Sequence, residues 1–286
     1  MGKQTMSLAE LAAAHGLKRV GARPRFFPYL AEAWRRRDFM ITMARFRLRA
    51  TLERNRLGVL WLVLRPCLNA IIYGVIFYFL QGESRPKDFA AYVVIGVFLF
   101  QFFQQSLVQG AKSITGHQAL VQSLAFPRLT LPMGEVIEEF ISLLPSIGLL
   151  FVILPFFGHW PTLSWLLIIP LLALFTLFNA GVAMMAARLT VHLRDLTQLL
   201  PFVSRILFYT SGVLFDVSRI FRRYPSIEAV FDFHPLYQVL QIARGALMGG
   251  HSYNPNYWWY FSIWAISVFV IGLLFFWAAE ERYGRD

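Results

Sequence analysis

The chain has a single cysteine, Cys67, in 286 residues, so it can form no disulfide within itself. It is also poor in acids, with 16 Asp and Glu against 27 Lys and Arg. The aspartates are scattered, with no paired carboxylates of the kind that hold a magnesium–diphosphate, which argues against a prenyl-transferring enzyme. No G-x-x-x-x-G-K-[ST] occurs. The nearest run, Gly110-Ala-Lys-Ser113, lacks the glycine before Lys112 and the one five residues earlier, so the chain does not cradle ATP phosphates by that route. His15, His117, His159, His192, His234 and His251 show no ligand spacing, and no internal repeat or low-complexity segment is present. No catalytic residue, metal site or cofactor is expected in this chain. Residues 1–30 lack the apolar core a cleavable signal needs and are expected to form a cytoplasmic tail.

What is abundant is apolar. Hydrophobic residues make up 57% of the chain, Phe alone numbers 28, and charged residues are only 15% against about 25% in an ordinary globular chain. The fold class is an all-α membrane protein. A net charge of +11 would suggest nucleic acid in a soluble protein. Here about half the basic residues precede residue 57 and adjoin an apolar run, so anionic lipid headgroups match them better, and no nucleic-acid partner is expected.

The organising stretch is Arg35 to Leu80. Between Arg35 and Arg56 stand eight arginines against two acids, Asp38 and Glu53, followed by LGVLWLVLRPCLNAIIYGVIFYFL with the single charge Arg65. About 20 helical residues match a hydrocarbon core of roughly 30 Å, and basic residues mark the side that is not translocated. Phe39, Met43, Phe46, Ala50 and Leu57 fall on one helical stripe, with Ile41, Leu48 and Leu52 opposite. That pattern suits a helix over 31–56 lying in the headgroup layer, one stripe on lipid and the other on protein. Spans are expected over 57–80, 89–111, 133–157, 162–188, 197–215 and 257–279, within a transmembrane domain of residues 57–286. Six crossings leave both termini cytoplasmic. Segment 216–256 is too long and aromatic for a plain outer loop. Its apolar stretches near 226–233 and 236–248 read as re-entrant helices that dip without crossing, where protein or water covers the backbone.

Polar groups inside spans point to a pathway. Gln101, Gln105 and Gln109 recur at i, i+4, i+8, with Gln104 beside them. They fit either donors to sugar hydroxyls or amide glue between helices. Glu135, Glu138 and Glu139 open the third span, where acids favour a helix N-terminus and can pair with the arginines of 35–56; they read as structural. Arg205 sits about two turns into the fifth span and serves either packing or an anionic substrate. Tyr73, Phe77, Phe98, Phe102, Phe202, Phe208, Tyr209 and Phe215 are placed to face a bundle interior, as core packing or as rings against the C–H faces of sugars.

The arginine-rich helix followed by Leu57-Gly58-Val59-Leu60-Trp61 and Arg65-Pro66 resembles the "lG-x-x-W…P" start of the first span in type-2 ABC exporter permeases. Gln118-Ala-Leu-Val-Gln-Ser-Leu-Ala-Phe-Pro-Arg128, closing with Pro132, is similar to that family's coupling segment. Val191-His-Leu-Arg-Asp-Leu196 looks like its "v-x-x-R-D-l" turn, and His234-Pro-Leu…Arg244 resembles its "N-P-x…R" segment with His in place of Asn. The four motifs run in order over about residues 35–280, and the polysaccharide-exporting branch (O-antigen, capsule, teichoic acid, cell-wall galactan) fits best.

The resemblance implies a homodimer in the bacterial inner membrane, with two copies of an ABC ATPase that bind ATP and magnesium. It implies a polyprenyl-diphosphate-linked glycan as cargo. Arg47, Arg49, Arg54 and Arg56 are then candidates for the diphosphate, and Tyr73, Phe102, Gln101, Gln105, Tyr209 and Arg205 for the glycan. In the loop between spans two and three, Leu120, Val121 and Leu124 put apolar side chains on one short helical face that Phe126, Pro127 and Arg128 end. That face needs a partner surface, and the ATPase supplies one as a helix-in-groove contact. An ABC permease for a lipid or drug is the alternative, and an integral-membrane transferase a weaker one.

Overall fold

The long apolar runs fold as helices in the computed structural model, which describes residues 25–53, 56–82, 86, 88–123, 126–220, 224–281 and 283. In chain order these are α1 (Phe26–Arg35), α2 (Arg37–Glu53), α3 (Leu60–Gln81), α4 (Phe89–Lys112), α5 (Gln118–Ser123) and α6 (Thr130–Phe156). After them come α7 (Ile168–His192), α8 (Leu196–Thr210), α9 (Val217–Ile220), α10 (Pro225–Asp232), α11 (Pro235–Leu247) and α12 (Tyr257–Ala278). No strand occurs among the described residues. Among the described residues five helices are long and apolar enough to cross a membrane: α3, α4, α6, α12, and α7 with the 3-10 turn Leu163–Leu167 that leads into it.

The expected span over 197–215 is shorter than anticipated. Helix α8 has 15 residues, about 22 Å at 1.5 Å per residue, less than a hydrocarbon core needs. The cause lies just after it, where Gly212 turns the chain at φ +69°, a conformation that favours glycine. The carbonyls of residues 212–215 find side-chain donors. The fully buried Arg244 guanidinium donates to the Gly212 and Val213 oxygens at 3.0 and 2.9 Å. The Tyr92 hydroxyl donates to Phe215 O at 2.9 Å and Gln81 Nε2 to Leu214 O at 2.7 Å. A helix end buried in this way is satisfied by side chains rather than by water.

Small residues set how closely the helices cross. A Cβ on Gly181 of α7 would stand 2.5 Å from the Val268 carbonyl oxygen of α12, and one on Gly272 would strike the Gly181 carbonyl in return. Gly110 of α4 meets Ala183 of α7 equally tightly. Apolar side chains gain little by leaving lipid, so close backbone approach supplies the packing instead. Helix α7 thereby sits between α4 and α12 at the centre of the bundle. Pro66 interrupts α3 differently: it has no N–H for Leu62 O, and the Ser146 hydroxyl of α6 donates to that oxygen at 3.2 Å instead. Pro170, by contrast, lies in the first turn of α7, where no helical bond is lost.

Helix α2 lies against α6, but on neither stripe the sequence suggests. Its buried residues are Met40 and Ala44, and Arg47 continues that line to Glu135. Phe46 stays exposed, while Ile41, Leu48 and Leu52 are half-buried. With arginines flanking both apolar stripes, no single face dominated the pattern, and the side that packs was the one with small and flexible residues. At the same end of the bundle Tyr29, Ala33, Val121, Leu129, Phe276 and Tyr283 share a second apolar cluster.

Candidate functional site

A cavity of about 820 Å3 opens between α2, α3, α4 and α6. Its walls mix polar and apolar side chains although three of these four helices are long and apolar. The i, i+4, i+8 spacing of Gln101, Gln105 and Gln109 brings all three amides onto the α4 wall. Glu135, Glu138, Glu139 and Ser142 come from the opposite helix α6, and Arg47 and Thr51 from α2. Trp61 and Arg65 supply the α3 wall, with the Arg65 guanidinium 5.6 Å from the Trp61 ring centre. Leu62, Pro66 and Ser146 also face it, so the proline-broken turn of α3 is part of the lining.

Basic and acidic side chains are matched in number in the cavity. Arg47, Arg65 and Lys112 face three glutamates, and Arg47 is paired with Glu135. Gln101 Oε1 is buried with no hydrogen-bond partner among the described residues. Such a site offers many donors and acceptors without one dominant sign. It suits hydroxyl-rich groups beside an anionic one better than a bare anion. Among the described residues no group of three His, Cys, Asp or Glu is placed to hold a metal ion.

The residues expected from the sequence divide into three sets. Arg47, Gln101, Gln105 and Phe102 meet at the cavity; Phe102 is also 3% exposed and packs edge-on against Phe140 and Phe175. The other basic residues of the collar are elsewhere. Arg49 is exposed and bonds Glu53 at 2.6 Å, Arg56 is exposed, and Arg54 lies outside the described residues. Tyr73 packs on Phe208, ring centres 4.8 Å apart, whereas Arg205 and Tyr209 stand on the uncovered face of α8 with Phe202 and Ile206. Glu138 and Glu139, read from the sequence as structural, belong to the cavity. Arg65 was visible as the only charge in its run, and Trp61 as part of the quoted motif, yet neither had a signal for the wall it forms.

The loop between α4 and α6 also differs from expectation. Val121 is 4% exposed, buried with Tyr29, Ala33 and Ile114 of the chain's own second cluster. Leu120 and Phe126 pack at its edge, and Phe126 lies 6.4 Å from the Phe39 ring. Leu124 lies outside the described residues. The apolar face of α5 is therefore covered in part by this chain, since spacing alone does not say which neighbour covers a face.

Just past that loop, three distant segments share a buried polar node. The Tyr29 hydroxyl of α1 donates to Glu280 Oε2 at 2.8 Å and accepts from Leu129 N–H at 3.1 Å. Glu280 Oε1 accepts from Arg128 N–H at 3.1 Å, and the Arg128 guanidinium donates to the Glu280 carbonyl at 2.5 Å. Burial, more than any neighbour, pushes the Glu280 carboxyl above the usual range, against the bonds from Arg128 and Tyr29. Burial first and then Glu280 raise the Tyr29 phenol well above its ordinary value, so Tyr29 stays a neutral donor. At the far end of the fold, His234 caps α11: its Nδ1 accepts the Tyr237 N–H at 3.3 Å, the part an Asn side chain plays at such a position.

Residues 39–248 match the protein family described as ABC-2 type transporter. The chain is 26% identical over 249 residues to the "O-antigen export system permease protein RfbA" of Klebsiella pneumoniae, covering 87% of this chain and 94% of that protein. It is 26% identical over 191 residues to the protein of the same description from Myxococcus xanthus, covering 66% and 72%. It is 21% identical over 236 residues to the "Polysialic acid transport protein KpsM" of Escherichia coli, covering 82% and 90%.

Proposed function

This chain belongs to the ABC-2 type transporter family, and from that premise we propose that it is the membrane subunit of an ATP-driven polysaccharide exporter. It is a transport subunit rather than an enzyme. In this reading two copies, with two copies of a separate ABC ATPase that binds ATP and magnesium, move a polyprenyl-diphosphate-linked glycan out across the bacterial inner membrane. The relatives named for O-antigen export and polysialic acid transport support the cargo class. The observation that carries the reading is the cavity, where amides, hydroxyls and carboxylates suit sugar hydroxyls while Arg47 and Arg65 suit the diphosphate.

Six crossings follow if α8 and the turn after it are taken as one. Irregular backbone is tolerable at membrane depth when protein covers it, and Arg244, Tyr92 and Gln81 bind the carbonyls of 212–215. Helices α10 and α11 are then the re-entrant pair, α1 and α2 lie in the inner headgroup layer, and both termini face the cytoplasm. The outward faces of α3 and α8, with Ile71, Val75, Phe202 and Ile206 exposed, are read as the surfaces a second copy covers.

The test is removal of the chain from the bacterium that carries it. Glycan-loaded polyprenyl diphosphate should accumulate inside and the surface glycan should vanish. A normal surface glycan, with a lipid or drug retained instead, would put that cargo in its place.

A further inference from the structure

The node at Tyr29, Arg128 and Glu280 has geometry that a plain packing contact does not require. It grips the main chain of the loop end as well as the Arg128 side chain. Tyr29 takes the Leu129 N–H and Glu280 the Arg128 N–H, and the two side chains are themselves joined at 2.8 Å. Tyr29 is 2% exposed and Glu280 5%, so water does not replace these bonds at low cost when they part. Residues 128 and 129 are the hinge between the α5 loop and α6, whereas Tyr29 is on α1. Helix α1 runs through Arg36 into α2, whose Arg47 reaches Glu135 of α6 at the cavity.

We propose that Tyr29, Arg128 and Glu280 form a latch that passes displacement of the 118–128 loop to α1 and α2, so that an event at the loop reaches the cavity. The inference rests on the reading that this loop meets the ATPase. Within it, Tyr29 and Glu280 are positioning residues: they touch neither cargo nor nucleotide. A loop pulled by its partner must carry α1 with it or part Tyr29 from Leu129 N–H and from Glu280. The latch makes α1 and the loop one mechanical body, held at its third corner by the segment that follows α12.

The experiment uses the permease with its ATPase in lipid vesicles, with Cys67 replaced by Ala and paired spin labels introduced. Trp160, exposed in the turn after α6 at the opposite end of the bundle, serves as the reference. Ala119 reports the loop and Ala31 reports α1; both are exposed. Trapping with magnesium, ATP and vanadate should shift the Ala119–Trp160 and the Ala31–Trp160 distances together. In Tyr29→Phe, which keeps the ring but loses both hydroxyl bonds, the loop distance should still shift and the α1 distance should not. Where that variant does not assemble, Tyr29→Met replaces it, an apolar side chain that likewise has no hydroxyl for Leu129 N–H or Glu280, and the same split is expected. An α1 distance that shifts as in the parent despite either substitution overturns the latch, as does one that is still in the parent while the loop moves. A loop distance that stays fixed while the bound ATPase hydrolyses ATP overturns the docking reading instead.

Discussion

Arg244 should be replaceable by no other residue without loosening the turn after α8. It is fully buried and makes four bonds to three carbonyls, at 3.0 Å to Gly212, 2.9 Å to Val213, and 3.4 and 3.3 Å to Tyr92. Its guanidinium also lies 3.3 Å from the centre of the Tyr92 ring. In Arg244→Met the Gly212 oxygen keeps a 3.3 Å bond from the Tyr92 hydroxyl, but Val213 O loses the donor described above. A buried carbonyl without a donor costs about 1–3 kcal/mol, and bonds to a charged donor contribute about 1.5–3 kcal/mol each. Relief from burying the charge offsets part of this, which leaves a net loss of about 2–4 kcal/mol. Arg244→Lys should fall between, because one ammonium cannot span the carbonyls that the planar fork reaches. Gly96→Ala offers an independent perturbation of the same contact, since its Cβ would stand 2.7 Å from the Arg244 Nη2. Part of its cost should vanish in the Arg244→Met background, while the contact with Val213 O at 3.1 Å remains. Thermal unfolding of the purified protein in lipid nanodiscs measures all four variants. An Arg244→Met protein within about 0.5 kcal/mol of the parent, the scatter of an ordinary surface substitution, would refute the assignment of these bonds to holding the turn.

Gly181→Ala should separate α7 from α12 and cost about 1–3 kcal/mol, as overpacking does, because its Cβ meets main chain that cannot rotate away; thermal unfolding in nanodiscs again reads it. Phe102→Ala and Tyr209→Ala should behave oppositely: the first removes a ring 3% exposed and costs about 3–5 kcal/mol, while the second, at 42% exposure, should leave stability near the parent and lower export per inserted molecule. Equal losses of abundance and export in both would return Tyr209 to plain packing. For Glu280, whose folded value is raised, the sign is fixed by linkage. Its contribution is full below the ordinary glutamate value of about 4.3 and is lost as pH rises through the folded value. Stability against pH should therefore fall less steeply in Glu280→Gln than in the parent, and a steeper fall would contradict burial as the cause.

The helices were legible because apolar length and flanking charge are local. The run from Phe89 to Lys112 differs from the expected 89–111 by one residue, and the apolar stretches near 226–233 and 236–248 are the helices α10 and α11. The early end of α8 was not legible, since it depends on Arg244 and Tyr92, far along the chain, capturing carbonyls beside one glycine. The glutamine face of α4 was visible in its spacing, but its opposite wall was not. Nothing in Glu138 and Glu139 distinguishes a helix-opening acid from a cavity-lining one until α6 lies across from α4. The same limit hid the Tyr29–Glu280 bond, which joins residues 251 apart, and the burial of Val121 by its own chain.

The most direct measurement of the central claim is transport in a closed system. Vesicles would carry this chain with its ATPase, together with the polyprenyl-linked glycan recovered from cells lacking the chain. ATP and magnesium would be added on the ATPase side, and the glycan newly accessible to a membrane-impermeant lectin on the other side would be followed with time. The account predicts glycan movement that needs ATP and both proteins, and that slows in the Gln101→Ala, Gln105→Ala double variant while ATPase binding is kept. Glycan that crosses equally without ATP, or that stays in place while the complex hydrolyses it, would contradict the account.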